Sequence, residues 1–173
     1  MSAPIVLGVA LQNRSTLLSQ PTRLEIYTFV KENPGVHFRG IMNNLSLSVG
    51  VVQYHLDILM QAGLLTVYSD GQNERYFTAN DFKEADAKLI MLLRHRTTRN
   101  ILSLLSSEGA LTHKDVSEGL GLSSQALSWQ MNQLRKIGLV EATKKGVNIR
   151  YILSEQSAAK IDLLLRLCDD HRL

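Results

Sequence analysis

The side chains able to do chemistry are few and scattered in this 173-residue chain. A single cysteine, Cys168, excludes an intramolecular disulfide and a thiolate-rich metal site. Potential ligands occur in HRTTRN around His95, in THKD around His113, and in the terminal CDDHRL with Cys168, Asp169, Asp170 and His171. None of them has paired spacing on one helix face. No nucleophile elbow, phosphate loop or dinucleotide fingerprint is present. The expectation is therefore no enzyme, no cofactor and no metal. Charge is more informative. Residues 1–80 carry 5 Lys/Arg against 5 Asp/Glu, residues 81–153 carry 11 against 7, and residues 154–173 carry 3 against 4. The formal net charge of +3 thus comes entirely from the middle segment.

The elements that position these groups belong to a soluble, globular class, with 45% hydrophobic and 20% charged residues. No apolar run approaches the roughly 20 residues needed to span a bilayer. The N-terminal APIVLGVAL lacks a preceding basic residue and stops at Gln12, so a strand or helix packed on the body is expected rather than a signal peptide. One cysteine and no targeting signal fit a cytoplasmic protein without membrane partners.

The chain repeats itself. LMQAGLLTVYSDGQNERYF and LRKIGLVEATKKGVNIRYI align without a gap, pairing Gly63 with Gly138, Arg75 with Arg150 and Tyr76 with Tyr151. Carried upstream at the same offset, apolar residues keep meeting apolar ones, as Ile26 meets Ile101 and Leu56 meets Met131. In the first copy, a helix capped by Ser19 carries Leu24, Ile26, Tyr27, Phe29 and Val30 on one face. A short helix over 38–45 and a third over 49–62 follow, with Gly63 as a left-handed C-cap. Alternation in LLTVYS and ERYFT around DGQN then reads as a hairpin. The second copy predicts helices over 98–107, 113–120 and 124–137, and strands over 139–143 and 149–153.

Three helices and a hairpin on one small core form a winged helix-turn-helix unit. The expected fold is mainly α with small β-hairpin wings: an N-terminal segment (1–17), a first unit (18–80), a helical connector (81–95), a second unit (96–153) and a C-terminal helix (154–173). The connector has neither Gly nor Pro and reads as stiff. In the last segment Ser154 can cap a helix with Ile161, Leu164, Leu165 and Cys168 at i, i+3, i+4 and i+7. That helix either closes the core of its own chain or pairs with its twin. The C-terminal and N-terminal segments are therefore the two candidates for a homodimer contact.

The stretch LSLSVGVVQYHLDILMQAGLLTVYSDGQNERYF resembles the helix-turn-helix and wing of ArsR- and MarR-type transcriptional regulators. Leu47, Ser48, Val52, His55, Leu56, Leu59, Gly63, Leu64, Arg75 and Tyr76 fit that pattern. The second copy keeps most of it, with Gln130 where His55 stood. The tandem layout is similar to double winged-helix regulators common in archaea. The resemblance implies a sequence-specific double-stranded DNA-binding transcriptional regulator whose third helices, 49–62 and 124–137, enter the major groove. It assigns the first reading face to Ser48, Gly50, Val51, Gln53, Tyr54 and His55, and the second to Ser123, Ser124, Gln125, Ser128, Trp129 and Asn132. For Tyr54 and Trp129, packing within each unit is the competing reading.

Phosphate contacts need Lys and Arg. The second copy offers Lys114, Arg135, Lys136, Lys144, Lys145 and Arg150, with Arg94, Arg96 and Arg99 near its first helix. The first offers only Arg39 and Arg75, and places Asp70 and Glu74 in its wing. The expectation is a basic second wing gripping DNA, and a first unit that binds weakly or is turned toward a protein partner. The rival reading is a tandem winged-helix protein–protein interaction scaffold, as in chromosome-organisation or transcription-complex subunits.

Overall fold

A computed structural model of the chain describes residues 15–145 and 148–169, except the side chains of 145, 148 and 167–169. Most of the N-terminal segment lies outside the described residues. So do the second wing's turn residues Gly146 and Val147, the Lys145 and Cys168 side chains, and the terminal Asp170 and His171. The chain divides into two compact units, the first ending at Met91 and the second beginning at Leu92.

The first unit begins with α1 (Pro21–Glu32). Its cap is Gln20, not Ser19: the Gln20 amide oxygen accepts the Arg23 N–H at 2.6 Å, while the Ser19 hydroxyl turns back to the Thr16 carbonyl. Pro21 then occupies the first turn, where its missing N–H costs nothing. Strand β1 (Val36–His37) leads into α2 (Phe38–Asn44), where the His37 imidazole accepts the Gly40 N–H as the cap. Helix α3 (Val49–Gln61) follows, then the hairpin β2 (Leu65–Ser69) and β3 (Glu74–Thr78). The sheet is antiparallel in the order β1-β3-β2. Strand β1 leaves no signal in the sequence, because two residues cannot show an alternation.

The core of this unit gathers Ile26 and Val30 from α1, Ile41 from α2, Val52, Leu56 and Leu59 from α3, and Tyr76 from β3. Each is essentially without solvent exposure, so truncating Leu56 to Ala costs about 2–5 kcal/mol. Helix α3 ends as expected. Gly63 sits at φ +66, and the Leu64 N–H reaches the Leu59 carbonyl at 2.9 Å, closing the last turn.

Helix α4 (Glu84–Arg94) is more than a connector. It buries Ala87, Leu89, Ile90 and Met91, and Ile90 lies over Gly35 so closely that an added Cβ there would come within 3.1 Å of it.

The second unit comprises α5 (Arg96–Glu108), β4 (Leu111–Thr112), α6 (His113–Leu120), α7 (Ser124–Lys136), β5 (Val140–Lys145), β6 (Asn148–Leu153) and α8 (Glu155–Asp169). Its sheet order is β4-β6-β5. Register repeats with the elements: Val36 faces Tyr76 in the first sheet and Leu111 faces Tyr151 in the second. The positive φ in each helix-turn-helix bend repeats too, at Ser46 (φ 53) and Gly121 (φ 62). Glycine is suited to that conformation, and serine adopts it at a cost of about 1 kcal/mol.

Helix α8 settles one of the two open alternatives. Ile161, Leu164 and Leu165 are buried, the helix packs on α5, and the Ser106 hydroxyl donates to Asp162. It therefore closes the core of its own unit. Ser154 accepts the first helical bonds through its carbonyl, but its hydroxyl is buried without a partner and does not cap the helix.

Candidate nucleic-acid interface

The polar positions of α7 are fixed by its buried ones. Leu127, Met131 and Leu134 face inward at helical spacing, which turns Ser124, Gln125, Trp129 and Asn132 to solvent. Ser123 caps the helix by accepting the Ala126 N–H at 3.2 Å. Facing α7 is the start of α6, held by a capping box in which Thr112 and Asp115 exchange hydrogen bonds of 2.9 and 3.2 Å. That pairing, first through the Thr112 contact, lowers the Asp115 pKa. An open groove of about 680 Å³ runs between these helix starts and Ile149 of the wing, with Lys114 on its lining. Lys144 and Arg150 stand exposed on the wing strands, and Arg135 and Lys136 on the last turn of α7.

The competing packing reading of the aromatics does not hold. Tyr54 and Trp129 are each 60% exposed, at equivalent places on α3 and α7. Ser48, Gly50, Val51 and Gln53 are also exposed, as the resemblance implied for the first unit, and so is Arg39. Its other two residues are corrected by the structure. His55 is buried at 6% exposure, because it shares the inward face with Val52, Leu56 and Leu59 at i, i+3, i+4 and i+7. Its ring meets Tyr54 edge-on at 5.1 Å, and its pKa is lowered by burial and then by the nearby Arg23 cation. The imidazole thus belongs to the core-facing side of α3 rather than to its exposed face.

Arg75 is likewise withdrawn. Its Nε donates to the Asp70 carboxylate at 2.6 Å and its Nη1 to the Gly35 carbonyl at 3.3 Å, with only 9% of the side chain exposed. Asp70 is no bare anion at the wing tip. Its side chain is 4% exposed, and its Oδ1 accepts the N–H groups of Gln72 and Asn73 at 2.9 and 2.7 Å. Burial alone would raise its carboxyl, but those N–H groups and the Arg75 guanidinium outweigh it and bring the pKa to about 2. The Asp70–Arg75 pair therefore folds the wing turn and leaves the first unit without a wing cation.

Ser128 is half-buried, and its Oγ lies 3.0 Å from Nε2 of His113. In the sequence, His113 suggests only a potential metal ligand. Aligned at the 75-residue offset, His113 falls where Phe38 stands and Lys145 where Asp70 stands, and those two exchanges were the available signals. Among the described residues no group of three or more His, Cys, Asp or Glu side chains is placed to hold a metal.

Both halves of the chain are helix-turn-helix domains, arranged as a tandem of winged units. Residues 20–90 match the family described as an N-terminal HTH domain, and residues 94–141 match the winged helix-turn-helix DNA-binding family. The first match runs into α4, in keeping with the packing of that helix on its unit. The chain is similar to the uncharacterized HTH-type transcriptional regulator MJ1398 of Methanocaldococcus jannaschii, at 28% identity over 151 residues. That similarity covers 87% of this chain but 38% of the relative, so the chain spans well under half of its length. Among solved structures it is similar to HlyU from Vibrio cholerae, at 31% identity over 50% of this chain and 96% of that one, with a TM-score of 0.43. It is also similar to BigR from Xylella fastidiosa, described as a transcriptional repressor, at 26% identity over 51% of this chain and 86% of that one, with a TM-score of 0.42. Among the described residues no helix is long and apolar enough to cross a membrane.

Proposed function

We propose that the chain is a sequence-specific, double-stranded DNA-binding transcriptional regulator, acting in the cytoplasm and without enzymatic activity, whose second unit carries the main grip. One observation supports this most: five exposed cations, Lys114, Arg135, Lys136, Lys144 and Arg150, accompany the exposed hydrogen-bonding residues of α7. Gln125 and Asn132 can pair bidentately with adenine, Ser124 can bond in either sense, and Trp129 offers an apolar face to a thymine methyl. Lysines and arginines around such a face supply the sequence-independent part of the affinity. Lys145 belongs to the same wing by its place in the chain.

The first unit supports a second reading for its own surface. Its α3 exposes Val49, Val51 and Tyr54, Gln53 is tied to Asp57 on the same helix at 2.9 Å, and its wing arginine is held internally. A surface with apolar centre and few free cations suits a protein partner, or weak DNA contact, better than a phosphate backbone.

A binding titration against salt tests the main proposal. Several phosphate contacts predict a log–log slope of about −0.9 for each. Absence of binding to any duplex at low salt would sink it, and co-purification with a protein partner without salt-sensitive DNA retention would favour the scaffold reading.

A further inference from the structure

We propose that His113 determines the base preference of the second unit by fixing the hydrogen-bonding polarity of Ser128, an inference that rests on the DNA-reading role proposed above. Ser128 occupies the middle of α7, and its Oγ lies 3.0 Å from Nε2 of His113, the first residue of α6. The imidazole is itself positioned: it is half-buried, and its ring centroid lies 6.2 Å from that of Tyr151.

A free serine hydroxyl rotates, both donates and accepts, and so discriminates poorly among base edges. Each nitrogen of a neutral imidazole has one role only. If Nε2 carries hydrogen, it donates to Ser128 Oγ and leaves the hydroxyl hydrogen for an acceptor such as purine N7, guanine O6 or thymine O4. If Nε2 carries its lone pair, it takes the hydroxyl hydrogen and leaves Ser128 as an acceptor for the amino groups of adenine or cytosine. The second tautomer is the one that gives Ser128 a single sign, because in the first Oγ keeps both its hydrogen and a lone pair and stays ambivalent. His113 is thus a positioning residue, acting through Ser128.

The first unit lacks this device. Phe38 stands where His113 stands and cannot hydrogen-bond, and Gln53, at the place of Ser128, donates instead to Asp57. Phenylalanine at this position is therefore compatible with the fold, which makes His113→Phe the informative variant.

The experiment uses the full chain as wild type, His113→Phe, Ser128→Ala and the double variant. Each is titrated against a duplex that the wild type selects from a random pool, and against duplexes with one base pair changed at a time. The wild type should discriminate at one base pair by about 3- to 10-fold, the equivalent of one hydrogen bond. His113→Phe should lose that discrimination with an unchanged salt slope, and the double variant should behave as Ser128→Ala alone. The proposal is overturned if His113→Phe keeps the preference, or if it weakens binding as much in the Ser128→Ala background as in the wild type, the mark of a merely structural histidine. Loss of the preference in Ser128→Ala but not in His113→Phe removes this inference and leaves the DNA-binding function standing. A wild type that binds no duplex overturns both.

Discussion

Asp70 and Lys145 occupy the same place in two copies of one fold, and the arginine five residues after each behaves differently. Arg75 is buried against Asp70, whereas Arg150 is exposed. The elements repeat at the 75-residue offset: α3 and α7 cover 49–61 and 124–136, and β1 and β4 cover 36–37 and 111–112. Even the strand-exit hydrogen bonds correspond, Ala79 N–H to Leu64 carbonyl and Ser154 N–H to Leu139 carbonyl. A shared core is thus kept while the repeated arginine folds the turn beside an aspartate in the first wing and stands exposed in the second. The lesson is that a motif position fixes where a backbone goes, while its neighbours fix what the side chain does there.

The largest test of this contrast reverses the second wing. Lys144→Glu with Lys145→Glu should weaken binding to every duplex alike, on the order of 10- to 100-fold at low salt, and flatten the salt slope by about 1.8. The readout is a salt titration on matched and mismatched duplexes. A silent double variant would show that the second wing does not touch DNA and that the contrast between wings has no bearing on binding.

The complementary test unlocks the first wing. Asp70→Asn keeps an acceptor for the Gln72 and Asn73 N–H groups and removes the charge that holds Arg75. Two effects are expected: a stability loss of about 1–3 kcal/mol from a half-orphaned buried arginine, and a DNA affinity gain of a few-fold with a slope steeper by about 0.9. Denaturant melts and the same salt titration measure both. A stability loss with no change in slope would mean that the first wing lies away from DNA whatever its charge.

Much of this architecture is legible in the sequence. Helical spacing identified α3 and α7 with their inward residues, and Gly63 identified the helix end, because both are set locally by period and backbone conformation. The status of α4 was not legible. Its apolar residues are compatible with a free-standing connector, and its burial depends on long-range contact with Gly35. Site residues failed where two local rules competed. His55 sat in a family reading pattern and also at an inward helical position, and the helical period prevailed. Arg75 could not be judged without seeing that Asp70 curls back toward it, and His113 could not be linked to Ser128 while the approach of α6 to α7 was unknown.

The smallest expected effect separates the two units by acid. Burial, and then the Arg23 cation, lower the pKa of His55 in the folded first unit, so the unfolded chain binds more protons there and stability rises with pH. The His55 contribution is complete above the ordinary histidine value of 6.5 and is lost as pH falls below it. Asp70 acts lower on the scale: its folded pKa of about 2 lies below its ordinary 3.8, so its contribution is present above 3.8 and lost as pH falls toward 2. The second unit has Gln130 and Lys145 at these two places and so lacks both titrating groups. Amide exchange followed residue by residue from pH 7.5 to 5 should therefore show the core of α3 losing protection before that of α7. His55→Gln, which copies the second unit, should abolish the difference over this range while leaving the later loss below pH 4 in place. Equal loss of protection in α3 and α7 of the wild type would show that His55 is accommodated in its charged form and that its burial does not distinguish the two units.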